Sequence, residues 1–204
     1  MMTLNQQTIA VFVSVLLVFS LLGYVAITPN PGEEFLQLYV LGENGMIEDY
    51  YPNGNTTVPL NTQVKWFLGV ANSMKSAQYV TVKVKLGNST LTPPNETQAE
   101  PAPLPSLVEY RRMLSSNETW EFSFNWVIED VQVVGDMIYV RNMTFNGNPT
   151  TVPDVGAQQG RNVRLIFELW SFNKEAGDFI FGWYEGQERR CAWLQMWFNV
   201  TSPA

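Results

Sequence analysis

A two-residue rhythm restricts this chain more than any other feature. In residues 78–86, Val80, Val82, Val84 and Leu86 fall on one side and Thr81, Lys83 and Lys85 on the other. Successive side chains of a strand point to opposite faces, so this pattern predicts a half-buried antiparallel strand. Residues 120–126 repeat it, with Trp120, Phe122, Phe124 and Trp126 set against Glu121, Ser123 and Asn125. Residues 192–200 do so again, Leu194, Met196, Phe198 and Val200 opposing Trp193, Gln195, Trp197 and Asn199. Residues 35–41, 64–70, 137–145 and 163–172 read as further strands, set off by Gly, Pro and Asn turn chemistry. About seven short strands and no convincing helix among them predict an all-β fold, an antiparallel β-sandwich. Two stretches read as inserted loops. Residues 87–106 carry five prolines, and residues 146–161 are polar and rich in Gly and Pro; both exceed ordinary loop lengths.

Ahead of the strands, residues 9–27 run for 19 positions without a charge. As a helix they would span roughly 28 Å, close to the hydrocarbon thickness of a bilayer. A transmembrane anchor, a cleaved signal peptide and a buried core helix all start from such a run. A signal peptide calls for a basic leading segment and small residues before the cut. Residues 1–32 contain no Lys or Arg, and Tyr24-Val25-Ala26 is a poor cleavage match, which favours the anchor. The expected plan is a short tail (1–8), a transmembrane helix (9–27), a Pro/Gly linker (28–34) and an extracytoplasmic domain (35–204). The lipid of a membrane is thus the first expected partner.

Orientation rests on a different signal, because the first basic side chain is Lys65 and the positive-inside rule has almost nothing to count. The motif N-x-S/T, with x not Pro, occurs at Asn55, Asn88, Asn95, Asn117, Asn142 and Asn199. Chance placement gives about two such motifs in a chain of this composition. All six follow the apolar run, so they predict N-glycosylation and an outside location. An Asn- and Thr-rich loop composition without glycans would leave the same pattern. Asn88 and Asn95, in a Pro-rich insertion, are the expected leading acceptors.

Composition narrows the chemistry. The chain has no histidine, which removes the commonest general base and metal ligand. A net charge of −7, with no basic cluster beyond Arg111-Arg112 and Arg189-Arg190, argues against nucleic acid. Carboxylates at Glu33-Glu34, Glu43, Glu48-Asp49, Glu129-Asp130 and Glu185 have no calcium-loop spacing, and a solvated acidic surface explains them. Cys191, the one cysteine, follows two arginines, but neighbours on a strand point apart and an inert buried thiol is the expectation. No catalytic residue, cofactor or metal ligand is assigned. The seven tryptophans, Trp66, Trp120, Trp126, Trp170, Trp183, Trp193 and Trp197, exceed what one core needs. Trp183, Trp193 and Trp197 are therefore candidates for an exposed surface that binds other membrane or envelope proteins or, alternatively, carbohydrate. Packing beneath the insertions would account for part of the same excess.

Two stretches, "FLQLYVLGENGMIEDYYPNG" and "VKWFLGVANSMKSAQYVTVKVKL", together with "SSNETWEFSFNW" and "LQMWFNV", resemble the archaeal family of unknown function DUF1616. The resemblance covers about half of the chain, leaves both insertions outside, and departs from many members in having one apolar segment instead of several. It implies an immunoglobulin-like sandwich displayed outside an archaeal membrane. It implies no reaction, and it assigns Gly42 and Gly69 only turn and packing roles.

Overall fold

The alternating segments become strands because each has one apolar side that only a second sheet can cover. The computed structural model describes residues 34–201, together with Ser14, Val15, Leu17, Val18 and Ser20, which are helical. The rest of the expected transmembrane segment, 9–27, lies outside the described residues. Among the described residues, no helix is long and apolar enough to cross a membrane. Contacts divide the chain into Met1–Glu34 and Phe35–Ala204, and the second unit holds the sandwich.

One sheet orders five strands as β1 (Leu36–Leu41), β3 (Val64–Asn72), β6 (Thr119–Val134), β7 (Met137–Phe145) and β8 (Asn148–Gln158). The other orders β2 (Thr57–Val58), β13 (Trp193–Val200), β9 (Val163–Asn173), β4 (Gln78–Asn88) and β5 (Val108–Leu114), with β10 (Asp178–Phe181) pairing β9 beyond the reach of β13. β11 (Trp183–Glu185) and β12 (Glu188–Arg190) form a separate ribbon. The chain crosses between sheets from β3 to β4 and back from β5 to β6. This is sandwich connectivity, except that the hairpin partner of β6 follows it in sequence, where the constant-type immunoglobulin order has its neighbour precede it.

Between the sheets the inward positions interlock. Val80, Val82, Val84 and Leu86 face Leu68, Val70, Phe124 and Trp126, all buried in one cluster. Trp66 sits at its centre, its ring 5.3 Å from Trp126, 5.7 Å from Tyr51 and 6.1 Å from Phe167. Its indole N–H donates to the Tyr50 carbonyl, which removes the cost of burying it. Asn72, 1 % exposed, ties the ends of the strands together. Its amide donates to the Leu114 and Ser115 carbonyls at 3.2 and 2.9 Å, and its oxygen accepts the Met74 N–H at 2.9 Å. Gly69 fills the packing role expected of it. A Cβ there would stand 1.9 Å from Cζ of Tyr39, whose ring lies across the glycine on the outer face of the first sheet.

All seven expected strands are present, with six more beside them. The largest correction concerns residues 146–161. They are not an inserted loop, because Asn148–Gln158 is a full strand on β7. Its prolines hid it. Pro149 and Pro153 cannot donate to a ladder, but β8 is an edge strand, and Pro153 falls where the register shifts between Val140 and Asn142. β5 escaped notice for another reason, since Arg111 and Arg112 interrupt its alternation with two adjacent charges. The other insertion, 87–106, is largely a true loop beyond Asn88, with one bridge joining Asn95 to Glu100.

Candidate functional site

The outer face of the second sheet is where the unusual residues collect. Parity places Tyr79, Thr81, Lys83 and Lys85 of β4 there, beside Arg164, Ile166, Glu168, Trp170 and Phe172 of β9. Trp193, Gln195 and Trp197 of β13 complete the row, opposite Glu168, Ile166 and Arg164. Such positions normally face water. Here Thr81, Lys85, Arg164, Ile166 and Glu168 are all buried, and the loop after β4 folds back against Lys85, Arg164 and Glu168 through Leu91 and Ala102.

A buried charge network pins that loop. Lys85 Nζ lies 2.9 Å from Glu168 Oε2 and donates to the Ala102 carbonyl at 2.7 Å. The Ala102 N–H donates to Glu168 Oε1 at 2.7 Å, and Trp170 Nε1 donates to Oε2 at 3.0 Å. Glu168 thus has both oxygens occupied by donors and is fully enclosed, so it is not available as a proton acceptor for a substrate. Lys83 stands 3.9 Å over the Trp170 ring and 3.5 Å from Glu109. Farther along, Arg164 donates to Gln195 Oε1 at 2.6 Å and to the Leu91 carbonyl. Burial lowers its pKa from the ordinary arginine value. Its guanidinium lies 4.8 Å from the centre of the Trp197 ring.

The three candidate tryptophans separate. Trp193 and Trp197 share the outer face, four residues apart on β13, or about 13 Å along a strand. Trp197 is 36 % exposed, whereas Trp193 is half-buried and its Nε1 has no partner among the described residues. Trp183 is a correction: it is 6 % exposed and belongs to the core cluster. The segment 181–186 is not an open loop. Phe181 closes β10 and is buried, and Trp183 starts the β11–β12 ribbon.

A second aromatic group was missed. Tyr79, Phe172 and Phe179 gather at one end of the same face, with ring centres 4.9 Å (Tyr79–Phe179) and 5.6 Å (Phe172–Phe179) apart. Parity carried the signal: Phe172 shares the outward register of Trp170, and Tyr79 that of Thr81. Their neighbour Arg111 stacks 5.1 Å over Phe179.

The sequons also divide. Asn55, Asn95 and Asn117 are exposed, and Asn117 sits in a left-handed turn conformation (φ 59°) between β5 and β6. Asn88, Asn142 and Asn199 are half-buried. Asn88 Nδ2 donates to the Gly156 carbonyl at 2.7 Å, while its oxygen accepts the Thr90 and Leu91 N–H groups. Asn199 Oδ1 accepts the Asn162 N–H. Cys191 lies under the loop near the Glu96 carbonyl, and burial, then Glu96, raises its thiol pKa, the direction of an unreactive thiol. Among the described residues no group of three His, Cys, Asp or Glu side chains is placed to hold a metal ion.

No family model and no curated protein matches the chain. Among solved structures it is similar to a CARDB domain from Pyrococcus furiosus, described in complex with di-metal ions, at 10 % identity and a TM-score of 0.39 over 83 % of this chain and 90 % of that one. It is also similar to a beta-D-glucoside glucohydrolase from Trichoderma reesei, at 12 % identity and a TM-score of 0.32 over 90 % of this chain and 22 % of the enzyme.

Proposed function

We propose that this chain is a membrane-anchored, extracytoplasmic, N-glycosylated protein whose immunoglobulin-like sandwich binds other membrane or envelope proteins and catalyses nothing. The reading keeps the resemblance to DUF1616 and the apolar run of residues 9–27 as its anchor. One observation carries the binding role: Trp197 stands exposed at the β13 border of this outer face, its ring packed against the buried Arg164. A tryptophan backed by a buried cation is rigid and offers its outer side to a partner at little entropic cost. Asn55, Asn95 and Asn117 are the sequons best disposed to carry glycans, since their side chains are exposed.

The test is Trp197→Ala in the full-length protein, purified from native membranes in mild detergent. Retention of the co-purifying partner is expected to weaken by about 2 kcal/mol, as for a central interface aromatic. Circular dichroism should be unchanged, because the ring lies outside the core cluster. An unchanged partner set with an intact fold would overturn the protein-binding role. The second reading is carbohydrate binding, favoured by the same geometry: a ring with one side held by Arg164 can stack its other side on a sugar. Glycan-array binding that Trp197→Ala abolishes would establish it.

A further inference from the structure

We propose that a groove at the end of the sandwich where the chain enters β1 seats on the headgroup region of a zwitterionic lipid bilayer. This rests on the membrane-anchored reading above and adds to it a second, peripheral contact with the same membrane. The groove encloses about 790 Å³ between Met74, Tyr79, Met113, Phe172, Trp183 and Tyr184. Three of these are exposed large apolar residues: Met113 at 59 %, Tyr184 at 48 % and Phe172 at 39 %.

Position identifies the occupant. The Ser73 N–H donates to the Phe35 carbonyl at 3.0 Å, so the residue that receives the upstream chain lies one position from the groove wall at Met74. Phe35 is itself 40 % exposed. Residues 28–34 separate it from the apolar run, and seven residues reach at most about 24 Å. A tether of that length brings a bilayer holding residues 9–27 within reach of this end of the domain.

Chemistry agrees with position. Tyr and Trp combine an apolar body with a polar tip, the composition enriched where a protein meets the headgroup layer, and Phe172 adds an apolar ring beside them. Lys174 and Glu175 both line the groove, which suits a headgroup carrying both signs better than a purely anionic one. Exposed apolar residues also occur at the far end, Met46 and Ile47 after β1 and Val133 and Val134 at the end of β6. None of the four carries an aromatic ring, which makes them the internal control.

The experiment uses the full chain in nanodiscs of phosphatidylcholine, with Cys191→Ser as background and an environment-sensitive fluorophore on Met113→Cys, Tyr184→Cys or Ile47→Cys. Doxyl groups near the headgroup of the lipid serve as quencher. Labels at positions 113 and 184 are expected to lose about half of their emission and the label at 47 almost none, as for a peripheral site that enters the headgroup boundary. If the chain resists carbonate extraction but the labels at 113 and 184 are no more quenched than that at 47, the groove does not meet lipid, and the anchored reading survives alone. If carbonate extracts the chain from liposomes, both readings fall together. Quenching that is equal at all three positions also overturns the proposal, since it would show no preferred end.

Discussion

Each face of the sandwich carries a lysine–glutamate pair 2.9 Å apart, and the two pairs have little else in common. On the first sheet Lys65 reaches Glu43 with side chains 50 % and 56 % exposed. On the second, Lys85 reaches Glu168 with side chains 5 % and 0 % exposed. Water and salt screen the first, so its net worth is small. The second has left water altogether and depends on the Ala102 backbone and the Trp170 indole to complete its hydrogen bonds. Breaking such a pair leaves an uncompensated buried charge. The contrast teaches that the residue types and the distance do not set the value of an ion pair; the segment lying over it does.

Three substitutions probe the contrast by urea unfolding, in descending order of expected effect. Glu168→Ala should cost about 3–5 kcal/mol, since Lys85 loses its counter-charge and the Ala102 and Trp170 N–H groups lose their acceptor under the loop. A loss below about 1 kcal/mol would mean that the loop lifts and water reaches Lys85. Gly69→Ala comes next, at about 1–3 kcal/mol, because the new methyl must displace the Tyr39 ring and strain its 3.2 Å bond to Glu121. The open first face would prove softer than described if that change were neutral. Lys65→Ala should stay within about 1 kcal/mol and lose even that in high salt. A larger, salt-independent effect would reveal a cover over the first face as well.

The same contrast marks how far the sequence could be read. The alternation in residues 78–86 correctly assigned Val80, Val82, Val84 and Leu86 to the core, because burial between two sheets imposes a period of two. It also implied that Thr81 and Lys85 face solvent, and they do not. Nothing local to β4 records that residues about 15 positions downstream fold back over it, since that is a long-range event specified by Ala102 and Glu168 together. β8 was illegible because prolines that exclude a central strand are tolerated on an edge, and edge position is a property of the sheet. Trp197 was legible from its alternation with Phe198. Trp183 was not, since a three-residue strand has no rhythm to separate inside from outside. The Tyr79–Phe172–Phe179 group needed the pairing of β4 with β9, and of β9 with β10, before its members became neighbours.

The bond from Asn88 to Gly156 has a consequence for biosynthesis. The two residues are 68 positions apart, so when Asn88 first emerges its partner strand has not yet been made. On the extracytoplasmic reading proposed above, the side-chain amide would be open to a glycosyl transferase during that interval. Once β8 docks on β7 and Gly156 arrives, the nitrogen that would carry the sugar is engaged in closing the sandwich. Asn117, on an exposed turn, has no such deadline. Sugar at Asn88 would thus be a record of timing, marking molecules in which modification outran folding, while sugar at Asn117 would record only that the enzyme was present.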